Sequence, residues 1–228
     1  MKTTDVYFYW RGDIDRAIQL ALQSWLYHGY RVKLYTHDEL SNVPSGVDII
    51  DANDILPADN KLPPLPYSDR FRYLLIENGG WWSDCDLILL KPIKIDSQDI
   101  FFIKESDNRI TTCWYYVPAN TGFGLHVFNL TFHTRLLSNV AWGPAMVYGA
   151  CEKFGWLNYL YPWEDHWPWQ YPTCAQIFDH NDIPNKNAIH MFRFALNPQV
   201  DQLQDPHPDS ILGQLYVKYG VYKINITK

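Results

Sequence analysis

Cysteine is scarce and scattered in this chain. The four cysteines, Cys85, Cys113, Cys151 and Cys174, form no Cys-x-x-Cys pair, which argues against a structural zinc site. Long apolar runs are also missing: no window approaches the ~20 residues that a membrane-spanning helix needs. Positive charge is not in excess. With a formal net charge of −6, the chain lacks the basic stripe of a general nucleic-acid binder. Low-complexity tracts are absent, so nothing points to disorder. The first five residues, Met1-Lys2-Thr3-Thr4-Asp5, hold no apolar signal core. A cytoplasmic protein with reduced thiols is therefore expected.

What the chain has in abundance is aromatic side chains, with 10 tryptophans and 16 tyrosines among 228 residues. One reading is a core rich in rings. The other is a carbohydrate-handling surface, where flat rings stack on the apolar faces of sugars. Many of the rings crowd into residues 159–171, so both readings stay open there.

The length fits one domain, taken as residues 1–228, with about 195–228 as a C-terminal tail or cap. Residues 6–9 form a short apolar-aromatic run, the expected first strand. Asp13 is the expected N-cap of a helix in which Ile14, Ala17, Ile18, Ala21, Leu22, Trp25 and Leu26 repeat at helical spacing. Gly29 is a plausible stop. Residues 31–35 and 47–50 read as further strands. Strand, helix and strand in this order predict an α/β fold with a mostly parallel sheet. Further strands are expected at 100–104 and 112–117, and helices at 125–137 and 145–154.

The most telling stretch is residues 68–86. It reads as a helix capped by Ser68 or Asp69, a stop at Gly79-Gly80, a buried strand opened by Trp81-Trp82, and two aspartates one residue apart. In an extended segment alternate side chains share a face, so Asp84 and Asp86 are expected to point the same way. Two carboxylates at a strand end suit a hard divalent cation carrying phosphates. A bare Asp-x-Asp triplet is as much at home in a solvated turn. Here it follows an apolar strand end, and ligands of α/β sheets sit beyond such carboxyl ends.

Ser68, Asp69, Arg72, Tyr73, Leu75, Gly79, Gly80, Trp81, Trp82, Asp84 and Asp86 together resemble the signature of glycosyltransferases with a DxD sugar-binding region, the family 32 type. The glucosylating clostridial toxins are more distant relatives of that family. Weaker similarities follow in the family's order at residues 7–12, 28–35, 142–144, 166–169 and 188–192. The resemblance implies a GT-A fold, a mostly parallel sheet flanked by helices that binds a nucleotide-sugar. It also implies a Mn²⁺ or Mg²⁺ cofactor and transfer to a glycan or other hydroxyl acceptor. A UDP-sugar donor, a hexosyl group, retention of configuration and a role in polysaccharide assembly are the favoured details.

On the same grounds Asp86 is implied as the direct metal ligand. Asp84 is implied as a donor contact that also reaches the metal through water. Asp69 and Arg72 would reach the donor from the helix. Tyr9 and Trp10 would flank the base, although a packed aromatic pair at a strand end is an equal reading. His190 is either a satisfied core histidine or the residue that completes the metal shell. Thr111 and Thr112 stand where the family often has Asn or Gly near the donor sugar, which leaves the sugar open. Trp163, His166, Trp167 and Trp169 could build an acceptor platform or pack in the core.

Two rival functions use the same residues. A non-catalytic carbohydrate- or cation-binding module would suit the rings and the aspartates, but leaves Asp69 and Arg72 unexplained. A glycosidase would need two carboxyls ~5 to 9.5 Å apart across a sugar, and no second acidic pair lies near the aromatic segment.

Overall fold

The computed structural model describes residues 4–59, 61–96, 99–133, 142–196 and 199–221. Its main sheet has five strands in the order β3-β2-β1-β4-β8. β1 (Asp5–Tyr9), β2 (Arg31–Thr36), β3 (Asp48–Asp51) and β4 (Gly80–Ser83) run parallel. β8 (Trp114–Val117) closes the edge antiparallel to β4. The expected α/β class, a mostly parallel sheet flanked by helices, is the one observed.

The strand residues alternate between two helical layers, as the period-two pleat requires. Val6, Phe8, Val32, Leu34 and Trp81 pack with Ile14, Ile18, Leu22 and Trp25 around α1 (Arg16–Tyr27). Tyr7, Tyr35 and Trp82 face the opposite layer with Phe71, Tyr73 and Leu75 of α2 (Pro64–Ile76). The pair Trp81-Trp82 therefore serves both cores at once. α3 (Phe123–His133) and α4 (Pro144–Lys153) extend the α2 layer. Residues 134–137 of the expected helix at 125–137 lie outside the described residues.

Two helix starts differ from expectation. α1 is capped by Asp15, not Asp13: its carboxylate accepts the Ile18 N–H at 3.0 Å from an extended backbone. α2 begins at Pro64, so Ser68 and Asp69 lie inside it and cap nothing. Proline is tolerated at the first helical position, where its missing N–H has no partner in any case.

After β4 the chain leaves the main sheet. β5 (Leu87–Leu89) pairs antiparallel with β10 (Ala188–His190), and His190 sits opposite Leu87. A third small sheet joins β6 (Ile103–Ser106), β7 (Arg109–Ile110) and β9 (Tyr161–Pro162). The C-terminal segment is a packed cap made of α5 (Arg193–Leu196), α6 (Val200–Gln204) and α7 (Ile211–Lys218). Its Leu212, Leu215 and Tyr216 share a core with Ala17 and Leu20 of α1 and Ile88 of β5. Arg16 ties the layers further, donating to the carbonyls of Gln204 and Val221 and lying 4.4 Å from the Tyr216 ring centre. No helix among the described residues is long and apolar enough to cross a membrane.

Gly79 joins α2 to β4 with φ +76°, and a Cβ there would lie 2.5 Å from the Ala119 backbone nitrogen. Gly155 has a similar φ of +73° with nothing within 4 Å. Gly155→Ala should cost only the left-handed strain, about 1–2 kcal/mol. Gly79→Ala should cost roughly 2 kcal/mol more, because overpacking adds to strain. Urea unfolding of the two variants checks this; equal losses would contradict the packing described for the α2–β4 corner.

Candidate active site

The strand order reverses beside β1: β2 lies on one side of it and β4 on the other. Such a reversal opens a crevice at the carboxyl ends of the two diverging strands. Tyr9 and Trp10 leave β1 there, and Asp84 leaves β4. A cleft of about 700 Å³ occupies this place, bordered by Tyr9, Trp10, Arg72, Asp84, Asp86 and His190.

Asp84 and Asp86 do not alternate along a strand as expected. β4 ends at Ser83, and Asp84, Cys85 and Asp86 form a tight turn in which the Leu87 amide donates to the Asp84 carbonyl at 3.2 Å. The Asp84 amide donates to the Cys113 carbonyl at 2.8 Å, which anchors the turn to the neck of β8. The antiparallel pull of β5 toward β10 bends the chain here, so an extended register cannot continue. Both carboxylates still border the same cleft.

Arg72 organises the first half of the site. Its side chain is buried and reaches Asp69 Oδ1 at 3.2 Å and Asp84 Oδ1 at 3.2 Å. It also donates to the Thr112 carbonyl at 2.7 Å and lies 5.1 Å from the Trp82 ring centre. Asp84 Oδ1 accepts a further bond from Trp82 Nε1 at 2.7 Å. Burial raises the Asp84 carboxyl above its ordinary range; Arg72 opposes the rise and the neighbouring Asp86 adds to it. Burial likewise pushes Asp69 up to about 6, with Arg72 opposing.

Asp86 is held from the opposite side. Its Oδ1 lies 3.4 Å from His190 Nε2, and its Oδ2 accepts the Arg193 backbone N–H at 3.0 Å. Burial disfavours its charge, yet the imidazole and this N–H outweigh burial and hold it below the usual carboxylate range. The same ring is also buried, but Cys113 and Asp86 beside it raise its affinity for a proton well above the ordinary value. Phe192 carries φ +49°, uncommon for a residue with a side chain. That bend follows β10 directly and turns the Arg193 amide back onto Asp86. The Arg193 guanidinium then pairs bidentately with Asp15, the N-cap of α1, and lies 5.4 Å from the Trp10 ring centre.

The other expected site residues divide. Asp69 and Arg72 join Asp84 as described. Thr111 is buried and bonded to Cys113, and Thr112 contributes only its carbonyl to Arg72; neither borders the cleft. The acceptor platform is not assembled. His166, Trp167 and Trp169 are buried, and Trp163 packs half-buried against the α1-side core, so none of the four borders the cleft.

Sequence reasoning passed over Arg193 and Asp15, which lie 178 positions apart. It also missed Tyr67 and His37. Tyr9 and Tyr67 both hydrogen-bond His37 at 3.2 Å, and Tyr9 stacks on Phe71 at 4.6 Å, which fixes the aromatic wall of the cleft. The single legible signal was a basic residue three places after His190.

No protein-family model matches the chain, and no curated protein matches it. Among solved structures it is similar to the PaToxG glycosyltransferase, at 16% identity over 67% of this chain and 69% of that one, with a TM-score of 0.47. It is also similar to the glycosyltransferase GlyE of Streptococcus pneumoniae TIGR4, at 14% identity over 99% of this chain, with a TM-score of 0.49. The chain spans 66% of the GlyE chain.

A pH effect follows from Asp69. Its folded value of about 6 lies above its ordinary 3.8, so the folded protein holds a proton that the unfolded chain releases. The stability gained this way is full below the ordinary value and is lost as pH rises through about 6. Between pH 4 and pH 7 the wild type should lose up to about 3 kcal/mol relative to Asp69→Asn. Denaturant unfolding of both proteins at the two pH values measures the difference. A gap that does not change with pH would contradict the buried, proton-holding carboxyl.

Proposed function

We propose that this chain is a metal-dependent glycosyltransferase. It moves a sugar, a hexose by preference, from a nucleoside-diphosphate donor to a hydroxyl of a glycan or similar acceptor. The observation that carries this reading is the composition of one cleft at the sheet's switch point. Asp84, Asp86, His190, aromatic rings, Arg72 and Arg193 border it together. A nucleoside diphosphate needs a flat partner for its base, acceptors for its hydroxyls and, through a cation held by a carboxylate, positive charge for its phosphates.

The donor set suits a hard cation in the way Mg²⁺ and Mn²⁺ are commonly held with nucleotides. Asp86 Oδ1 and His190 Nε2 lie 3.4 Å apart in the cleft. Asp84 is turned toward Arg72 and Trp82, and no cluster of three His, Cys, Asp or Glu side chains suited to a metal occurs among the described residues. Mg²⁺ sites in nucleotide enzymes rely on one or two carboxylates, with substrate phosphates and water completing the shell. Asp86 would hold such a cation, and His190 would join it on giving up its proton. When bound, it supplies positive charge to the leaving diphosphate.

The chain's own groups do the rest. Arg193, neutralised by Asp15, serves through its backbone N–H, which holds Asp86 in place before any ligand arrives. Asp84 keeps Oδ1 on Arg72 and Trp82 and offers Oδ2 to a ribose or sugar hydroxyl. The Arg72 and Trp82 bonds make it a poor nucleophile. Retention of configuration, implied by the family resemblance, then fits a front-face reaction in which acceptor and leaving group share one side of the sugar. Tyr9, held by His37 and Phe71, gives the base a fixed ring to lie against. A UDP-sugar is the favoured donor, and assembly of a polysaccharide or surface glycan the favoured setting.

The test is a thermal-shift screen of nucleotide-sugars with Mn²⁺, followed by product analysis. A donor at a hundred times its Kd should raise Tm by about 5–10 °C. Asp86→Asn should remove that shift and lower turnover about a hundredfold or more. No shift with any UDP-, GDP- or ADP-sugar would count against the proposal. A shift without nucleotide release would favour a carbohydrate- or cation-binding module instead.

A further inference from the structure

A second hollow, of about 600 Å³, is lined by Asp99, Trp156, Asn158, Tyr159 and Tyr161 among others, and shares no residue with the first cleft. Its place follows from the strand pairing. Phe101 bridges Tyr116 antiparallel, so Ile100 and Asp99 continue toward Val117, which pairs with Gly80. Gly80 starts β4 and Asp84 follows its end. The hollow therefore lies toward the opposite end of β4 from the aspartates.

Two large rings stand open in it: Tyr159 is 65% exposed and Tyr161 41%. They lie two positions apart across the extended Leu160. The Tyr161 and Trp156 rings pack on neighbours, and the backbone carrying Tyr159 is tied down. The Tyr161 amide donates to the Phe102 carbonyl at 2.9 Å, and its ring lies 5.0 Å from Phe101. The Tyr159 amide donates to the Trp156 carbonyl at 3.0 Å. The Trp156 ring stacks on Phe123 at 4.9 Å. The Tyr161 and Trp156 rings, packed this way, lose little conformational freedom when a ligand lands on them.

The lining narrows the occupant. A partner protein would seek an apolar surface, but here the exposed Asn158 amide and Asp99 carboxylate sit among the rings. A nucleotide would bring phosphates to a carboxylate with no Lys or Arg in the lining. A neutral sugar satisfies every group: its C–H face stacks on a ring, and its hydroxyls meet an amide and a carboxylate. We propose that this hollow is a binding site for a neutral hexose oligosaccharide, separate from the donor cleft. It would tether a glycan chain to the protein and raise its local concentration. The proposal stands on this lining alone and survives even if the donor reading fails.

The experiment titrates the full chain separately with cellotetraose, maltotetraose, α-1,6-mannotetraose and trigalacturonate, following the Trp156 indole resonance by NMR. At least one neutral tetrasaccharide should shift that resonance. Tyr159→Ala and Asn158→Ala, both at exposed positions, should each weaken binding about three- to tenfold. Asp86→Asn should bind the same sugar as tightly as the wild type, whatever it does to nucleotide-sugar binding. The proposal is overturned if no neutral tetrasaccharide shifts Trp156, if the two hollow variants bind unchanged, or if Asp86→Asn abolishes binding. Binding of trigalacturonate alone overturns it too. So does a dimer in sedimentation that Tyr159→Ala converts to monomer, because a second copy would then cover the rings.

Discussion

One buried guanidinium holds the site together. Arg72 joins a helix, a strand end and the approach to another strand, through Asp69, Asp84 and the Thr112 carbonyl. Two carboxylates and a cation with so little water around them are stable only as a set. Removing the cation would strand two acids, and breaking such a buried arrangement typically costs about 3–5 kcal/mol. The charge therefore fixes where Asp84 points. The turn that follows then carries Asp86 into the same cleft.

The second half of the cleft depends on the C-terminal cap. Asp86 receives its amide bond from Arg193, whose side chain returns to the N-cap of α1. Asp15 thus serves two purposes, capping α1 and anchoring the cap segment across the cleft. The aspartate pair is braced independently from two directions, Asp84 by Arg72 and Asp86 by His190 and Arg193. The two acids differ accordingly. Asp84 gives one oxygen to Arg72 and Trp82, while Asp86 sets one beside an imidazole and the other on a backbone N–H.

Much of this was legible because local pattern and tertiary role coincide. Ile14, Ile18, Leu22 and Trp25 face the sheet at helical spacing, and Trp81-Trp82 divides between two layers as a pleated strand must. The aspartate pair was found, though for a geometric reason that did not hold. Alternation assumes an extended chain, and β4 stops one residue short of Asp84. The late tryptophans stayed ambiguous because residue type does not reveal burial: of the two readings, platform or core, Trp167 and Trp169 take the core. Asp15 and Arg193 were out of reach for another reason. No local period links residues so far apart, and only the packing of the C-terminal cap on α1 brings them together. The exposed rings that do fit a sugar, Tyr159 and Tyr161, lie in the same aromatic segment, on the other side of the fold.

The central claim is that Asp86 and His190 mark where a cation meets a nucleotide diphosphate. Paramagnetic broadening by Mn²⁺ in the presence of UDP reads that position directly. The account predicts that amide signals of Asp86, Met191 and Arg193 broaden first, only when both Mn²⁺ and UDP are present, and not in Asp86→Asn. Broadening centred on other acidic residues, or equal broadening in Asp86→Asn, would contradict it.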